Sequence, residues 1–242
     1  MRAATLVLET AESFGAGDVP LAAVTNGALR LSPSPMWAWP DGTEHLARSL
    51  GLNASSLTVD AEMAAFFGKR DAAGLHPFRL DVAGACALAP TTAAGASVGL
   101  VGTTTVSLAA GARLAMDLET YDADAGRLVF AGPGTACAAV DALAGAVEVR
   151  DGAVLELPEV PLPAVTALVV RAGSTLRIPA EPSGLHTILT DMGQLIVENG
   201  ATVEDLDENV LTGKAMSGMF FEPGAALCWR GGTGAWSDAE GW

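Results

Sequence analysis

Aromatic side chains are scarce in this chain: 5% of 242 residues, with only one Tyr. A core built on stacked rings is excluded, so packing must rest on aliphatic and small side chains. Charge is scarce too, at 17%, and one-sided, with 13 Lys and Arg against 28 Asp and Glu and a net charge of −15. An acidic surface repels phosphate backbones and excludes a nucleic-acid partner. It suits a secreted bacterial protein that must stay soluble, and it leaves room for divalent cations. Cysteine is limited to Cys86, Cys137 and Cys228. The number is odd and no CxxC spacing is present, which excludes a disulfide framework and a zinc site. Cys86 falls in step with Leu80, Val82 and Leu88, as expected of a small buried hydrophobe. The histidines His45, His76 and His186 share no motif. A Gly-x-Ser-x-Gly elbow, a Walker loop and an HExxH helix are all missing. The composition therefore points to no catalytic residue, no cofactor and no metal.

Long hydrophobic runs are missing as well. Nothing approaches the roughly 18 apolar residues of a membrane span. The start, Met1-Arg-Ala-Ala-Thr-Leu-Val-Leu-Glu9, has too short an apolar core for a signal peptide. The expectation is that this chain is an internal piece of something longer.

What is abundant is small and apolar. Half the residues are hydrophobic and 28 are Gly. One short pattern recurs: apolar-x-apolar, two residues, glycine, a small residue, one residue, apolar. It reads Val106-Ser-Leu108-Ala-Ala-Gly111-Ala-Arg-Leu114, then Val147-Glu-Val149-Arg-Asp-Gly152-Ala-Val-Leu155. It returns at Leu168-Val-Val170 with Gly173, at Leu195-Ile-Val197 with Gly200, and at Met219-Phe-Phe221 with Gly224. The spacings between these glycines are 41, 21, 27 and 24 residues. The first gap is nearly double the second, and Leu128-Val-Phe130-Ala-Gly132-Pro-Gly134 fills it. Each copy is two short strands about a glycine corner. A unit so small cannot bury its own apolar face, so copies must stack.

Parity is consistent within the copies. Val106, Leu108, Leu114 and Met116 share one face, and so do Val147, Val149, Leu155 and Leu157. Ser107, Glu148, Glu156 and Arg177 between them are expected to face water. In the fourth copy the parity position after Val203 is Asp205, with Leu206 one residue late, which predicts a strand end or a bulge. Asp151-Gly152 and Asn199-Gly200 are hairpin dipeptides, so a hairpin-built sandwich is the rival architecture.

Residues 36–97 are less regular. Residues 44–50 and 61–68 are read as helical turns, and the region as an inserted or capping element.

Two segments resemble a known family. Leu6-Val-Leu-Glu-Thr-Ala-Glu-Ser-Phe14-Gly15-Ala-Gly17, followed by Ala23-Val-Thr-Asn-Gly27-Ala-Leu-Arg-Leu31, resembles the autotransporter-associated β-strand repeat. Trp229-Arg-Gly-Gly-Thr-Gly234-Ala-Trp236-Ser-Asp-Ala-Glu-Gly241-Trp242 is similar to a Trp/Gly motif of large bacterial surface and autotransporter passenger proteins. There the last tryptophan usually follows asparagine, where this chain has Gly241. The resemblance implies a right-handed β-helix, export to the cell exterior or outer-membrane surface, and an adhesive role. It implies a host, matrix or glycan ligand. Membrane contact would come only through a separate anchor or translocator domain.

The expected fold is all-β, a right-handed parallel β-helix (β-solenoid) with an irregular N-terminal insertion or cap. Its parts are a repeat-like segment at 1–35, the irregular region at 36–97, regular coils at 98–229 and a linking motif at 230–242. The corner glycines Gly111, Gly152, Gly173, Gly200 and Gly224 should stack as one column. Trp37 and Trp39 project from one strand face and are candidate glycan contacts, or else plug the solenoid's end. Two acidic groups, Asp117/Glu119/Asp122/Asp124 and Glu204/Asp205/Asp207/Glu208, are either solvated loops or the carboxylates of a polysaccharide lyase or hydrolase. A lyase would draw its base from Arg127 or Lys214. The rival to a display scaffold is thus a carbohydrate-active β-helix enzyme.

Overall fold

The computed structural model describes residues 5–8, 24–31, 49–59, 64–67, 69–71, 74–76, 78–90, 97–100, 103–117, 119–121, 127–139, 143, 145–157, 165–178, 194–206 and 219–229. Nine successive coils can be followed through them. Each coil lays one strand in a nine-stranded sheet, turns a corner, and lays its next strand in a ten-stranded sheet. Coil 1 is Val24–Thr25 with Ala28–Leu31, coil 2 is Ser49–Asn53 with Ser56–Val59, and coil 3 is Phe78–Ala83 with Ala85–Pro90. Coil 4 is Thr103–Leu108 with Arg113–Met116, coil 5 is Arg127–Ala131 with Thr135–Ala138, and coil 6 is Gly145–Arg150 with Val154–Glu156. Coil 7 is Val165–Val170 with Thr175–Arg177, coil 8 is Leu195–Val197 with Thr202–Leu206, and coil 9 is Met219–Phe221 with Ala226–Trp229. Thr5–Leu8 precedes them and pairs with Ala28–Leu31. Coils 2, 3 and 4 add a third strand each, Ala64–Phe67, Ser97–Leu100 and Glu119–Tyr121.

Pairing in these three sheets is parallel and joins neighbouring coils, which makes the fold a parallel β-helix. The strands flanking Asp151-Gly152 lie in different sheets, and so do those flanking Asn199-Gly200. Neither dipeptide is a hairpin tip. Among the described residues the one antiparallel pair is Lys69–Asp71 with Gly74–His76.

The core follows the period-two pattern. Leu114, Leu155, Leu168, Val170, Leu176, Leu195, Val197 and Val203 are fully buried. They stack in columns, as in Leu114↔Ala136↔Leu155↔Leu176↔Val203. Register is forced here, because a one-residue slip would turn every such side chain to water. Cys86 sits in this interior, with its Sγ donating to the Ala83 carbonyl at 3.2 Å. Thr104 is the misfit. Its register neighbours are Phe78 and Leu128, and its buried Oγ1 has no hydrogen-bond partner.

The corners are hydrogen-bonded β-turns. Ala112, Ala153, Ser174, Ala201 and Ala225 each donate a backbone N–H to the carbonyl three residues earlier. Glycine is the third residue of each turn, and φ is +72 at Gly111, +85 at Gly152, +76 at Gly173, +77 at Gly200 and +94 at Gly224. A type II turn needs a positive φ there. In coil 6 Asp151 is also positive, at +58, as a type I′ turn requires. The residue after the glycine is small because it points inward: Ala112, Ala153, Ser174 and Ala201 are all buried.

The column is continuous through coils 7 to 9, where the Gly173 N–H bonds the Gly200 carbonyl and the Gly200 N–H bonds the Gly224 carbonyl. The Gly152 N–H goes instead to Ser174 Oγ at 3.2 Å. In coil 5 the equivalent position is Pro133, between Gly132 and Gly134. Coil 4 bulges outward. Val106 is level with Leu80 and Phe130, and Leu114 with Cys86 and Ala136, so the coil 4 corner holds two residues more than its neighbours.

The region 36–97 is more regular than its sequence pattern. Residues 49–59 and 78–90 are full coils in register with their neighbours. Ala64–Phe67 and Ser49–Asn53 are strands, so the helical turns do not hold at those residues. The template was hidden by its corners. Coil 2 turns through Ala54, at φ +45, and coil 3 through Gly84 one position late. The bulge after Val203 is present, with Leu206 pairing Trp229 after a register shift.

Candidate functional site

Two lines of charge run along the outer faces of the coils. On the nine-stranded sheet, Arg127 Nη1 donates to Glu148 Oε2 at 3.1 Å and Arg171 Nε to Glu148 Oε1 at 3.0 Å. Arg171 Nη1 continues the line to Glu198. On the ten-stranded sheet, Arg113 Nη2 donates to Glu156 Oε2 at 2.8 Å, Arg177 Nη1 to the other Glu156 oxygen, and Arg177 Nε to Glu204 Oε2 at 2.9 Å. Each line alternates Arg-Glu-Arg-Glu, one tying coils 5 to 8 and the other coils 4 to 8. The hydrogen bond to Glu198 first, then that to Glu148, raises the Arg171 pKa, and Glu204 does the same for Arg177. Glu148 departs from its expected exposure. Its outward position is covered, leaving the side chain 9% exposed.

These lines absorb several predicted site residues. Glu204 and Arg127, read as a carboxylate and a base, are spent on Arg177 and Glu148. Arg127 lies in coil 5 and Glu204 in coil 8, on different sheets. Asp117 is exposed. Glu119 and Asp205 lie on strands, in different sheets. Asp122, Asp124, Asp207, Glu208, Lys214, His45, His186, Trp37 and Trp39 lie outside the described residues. Among the described residues no group of three or more His, Cys, Asp and Glu side chains is placed to hold a metal. Cys137, half-exposed on the outer face, pairs in register with Glu156. Burial first, and then the Glu156 carboxylate, push its thiol pKa up, while Arg113 opposes them.

Sequence reasoning missed an open trench on the outer face of the nine-stranded sheet, beside the corners, of about 530 Å³. Its floor is the column Gly51↔Asp81↔Ser107↔Ala131, one residue per coil. Asn53, Ala83, Ala109 and Gly132 border it on the corner side, with Asp151 at one end. Arg79 lies one pleat away and its Nε donates to Asp81 Oδ1 at 2.6 Å. Arg150 Nε lies 3.5 Å from Asp151 Oδ2. Both trench carboxylates therefore face an arginine. The small floor residues were the available signal, since Gly51, Ser107 and Ala131 stand where later coils carry Arg150 and Arg171. Compared with protein families, curated proteins and solved structures, the chain matches none of them.

Proposed function

We propose that this chain is a non-catalytic segment of a secreted or cell-surface bacterial β-solenoid protein, acting as an adhesion or display scaffold. The observation that carries the reading is the pair of Arg–Glu lines. They neutralise outward carboxylates of coils 6 and 8 and use them to tie coil to coil. A lyase or hydrolase needs the opposite, a carboxylate left available beside a second acid or a base. Nine coils at a rise of roughly 4.8 Å give a rod about 40 Å long with a repeated outer surface. Surface export rests on the resemblance at residues 6–31 and 229–242.

Two measurements test the reading together. The purified chain is incubated with acidic and neutral polysaccharides, and unsaturated product and new reducing ends are followed. It is also screened against immobilised glycans and extracellular-matrix proteins. Saturable binding without product is expected. Turnover that disappears in Asp81→Ala or Asp151→Ala would replace the scaffold with the carbohydrate-active enzyme.

A further inference from the structure

The trench over coils 2 to 6 is where an extended ligand would lie. We infer that it binds an uncharged polyhydroxylated chain, a neutral glycan, running along the solenoid axis; the inference rests on the scaffold reading and names its ligand. The shape comes first. Five coil levels at roughly 4.8 Å make the trench about 19 Å long. Its 530 Å³ is within the usual range for ligand sites. It is open along its length rather than enclosed, which suits a segment of polymer better than a small molecule. Gly51, Ser107 and Ala131 keep the floor low, so a ring can approach the sheet closely.

The lining chemistry sets the class. Asn53, Ser107, Arg79, Asp81 and Asp151 offer donors and acceptors side by side, on a floor that is otherwise aliphatic. Vicinal hydroxyls require that mixture, because each gives and accepts a hydrogen bond. Charge excludes the alternatives. The chain carries −15, and the trench lining sets Arg79 against Asp81 and Asp151; Arg79 faces Asp81, and Arg150, beside the lining, faces Asp151, so neither carboxylate stands unopposed. A polyanion would meet the acidic protein field with no basic patch in the trench to offset it. A cationic ligand would find both carboxylates already facing arginines.

The test uses the full chain and calorimetric titration with cellohexaose, xylohexaose, maltohexaose and hexagalacturonate. Binding to at least one neutral hexamer is expected, with none to hexagalacturonate. Ser107→Trp fills the trench from an outward position and should abolish binding. Asp81→Asn should weaken it by about tenfold or more, the scale of one charge-assisted hydrogen bond. Circular dichroism confirms that each variant is folded, and Glu198→Gln, in coil 8 outside the trench, should bind as the parent does. Failure of all three neutral hexamers, a preference for hexagalacturonate, or full binding by a folded Ser107→Trp variant each overturns the inference. Matrix-protein binding that survives Ser107→Trp, with no hexamer bound, would leave the scaffold standing and sink only its glycan ligand. Hexamer cleavage would sink the scaffold itself.

Discussion

Substituting the corner glycines one at a time should separate two costs that the fold imposes at different places. Gly173 has φ +76, and a Cβ built there meets nothing within 4 Å. Gly173→Ala therefore carries only the conformational penalty, roughly 1–2 kcal/mol for an L-residue in the left-handed region. A stiffer unfolded chain returns about 0.4–1 kcal/mol. The net loss should be about 1 kcal/mol. Gly132 differs. Its φ is +96, and its Cβ would be driven into the Leu108 carbonyl oxygen of coil 4. That atom is backbone and cannot rotate away, so the overpacking cost of roughly 1–3 kcal/mol adds to the conformational one. Gly132→Ala should lose about 2–4 kcal/mol. Gly134 has no positive φ, but its Cβ would lie 2.7 Å from the Ala109 carbonyl oxygen, so Gly134→Ala isolates the steric part. Urea unfolding followed by far-ultraviolet circular dichroism, with the midpoint compared at constant slope, measures all three. Equal midpoints for Gly132→Ala and Gly173→Ala would refute the close approach of Gly132 to the Leu108 carbonyl.

Thr104→Val should stabilise the chain by roughly 1–3 kcal/mol, because it removes a buried hydroxyl without a partner while nearly keeping its shape; a lower thermal midpoint would show that Oγ1 is satisfied. Glu148→Gln should cost roughly 1.5–3 kcal/mol in the same urea assay, and Glu198→Gln less than about 1, since Glu148 is covered and holds two arginines. Equal losses would contradict the covered geometry. Cys137 should react with a thiol reagent more slowly at pH 8 than a free thiol does, and Glu156→Gln should speed it; an unchanged rate in the variant would remove Glu156 as a cause. Because folding raises this pKa, the neutral thiol's contribution to stability is present below the ordinary thiol pKa. It is lost as pH climbs through the raised one.

The later coils were legible because their corners obey one template. Gly152, Gly173, Gly200 and Gly224 stand two residues before the strands that pair as Val154, Thr175, Thr202 and Ala226. Coils 2 and 3 were not, since Ala54 and a late Gly84 break the template while the strands keep their register. Part of the charge pattern was readable in retrospect. Glu156, Arg177 and Glu204 fill the same template position with alternating sign, which only stacking turns into contacts. Arg113 reaching across coil 5 to Glu156 could not be read, because its reach depends on the small Ala115 and Cys137 beside it in the sheet. The trench is invisible to periodicity for a similar reason. It is made by what Gly51, Ser107 and Ala131 do not fill.

The stacking of coil on coil also fixes how the protein should yield to force. Inter-strand hydrogen bonds in both long sheets run along the rod, and each coil is held by its two neighbours. Tension applied through the chain therefore loads one coil edge at a time and peels it, instead of shearing many bonds together. Partner positions in neighbouring coils of the two long sheets are 19 to 31 residues apart, as at Val129↔Glu148 and Leu57↔Leu88. Each release should lengthen the chain by roughly 60–110 Å. Extension would proceed in small steps at low force, with the highest resistance at coils 4 to 8, where arginines bridge the coils. A rod of this kind dissipates a sustained pull gradually while most of its length stays folded.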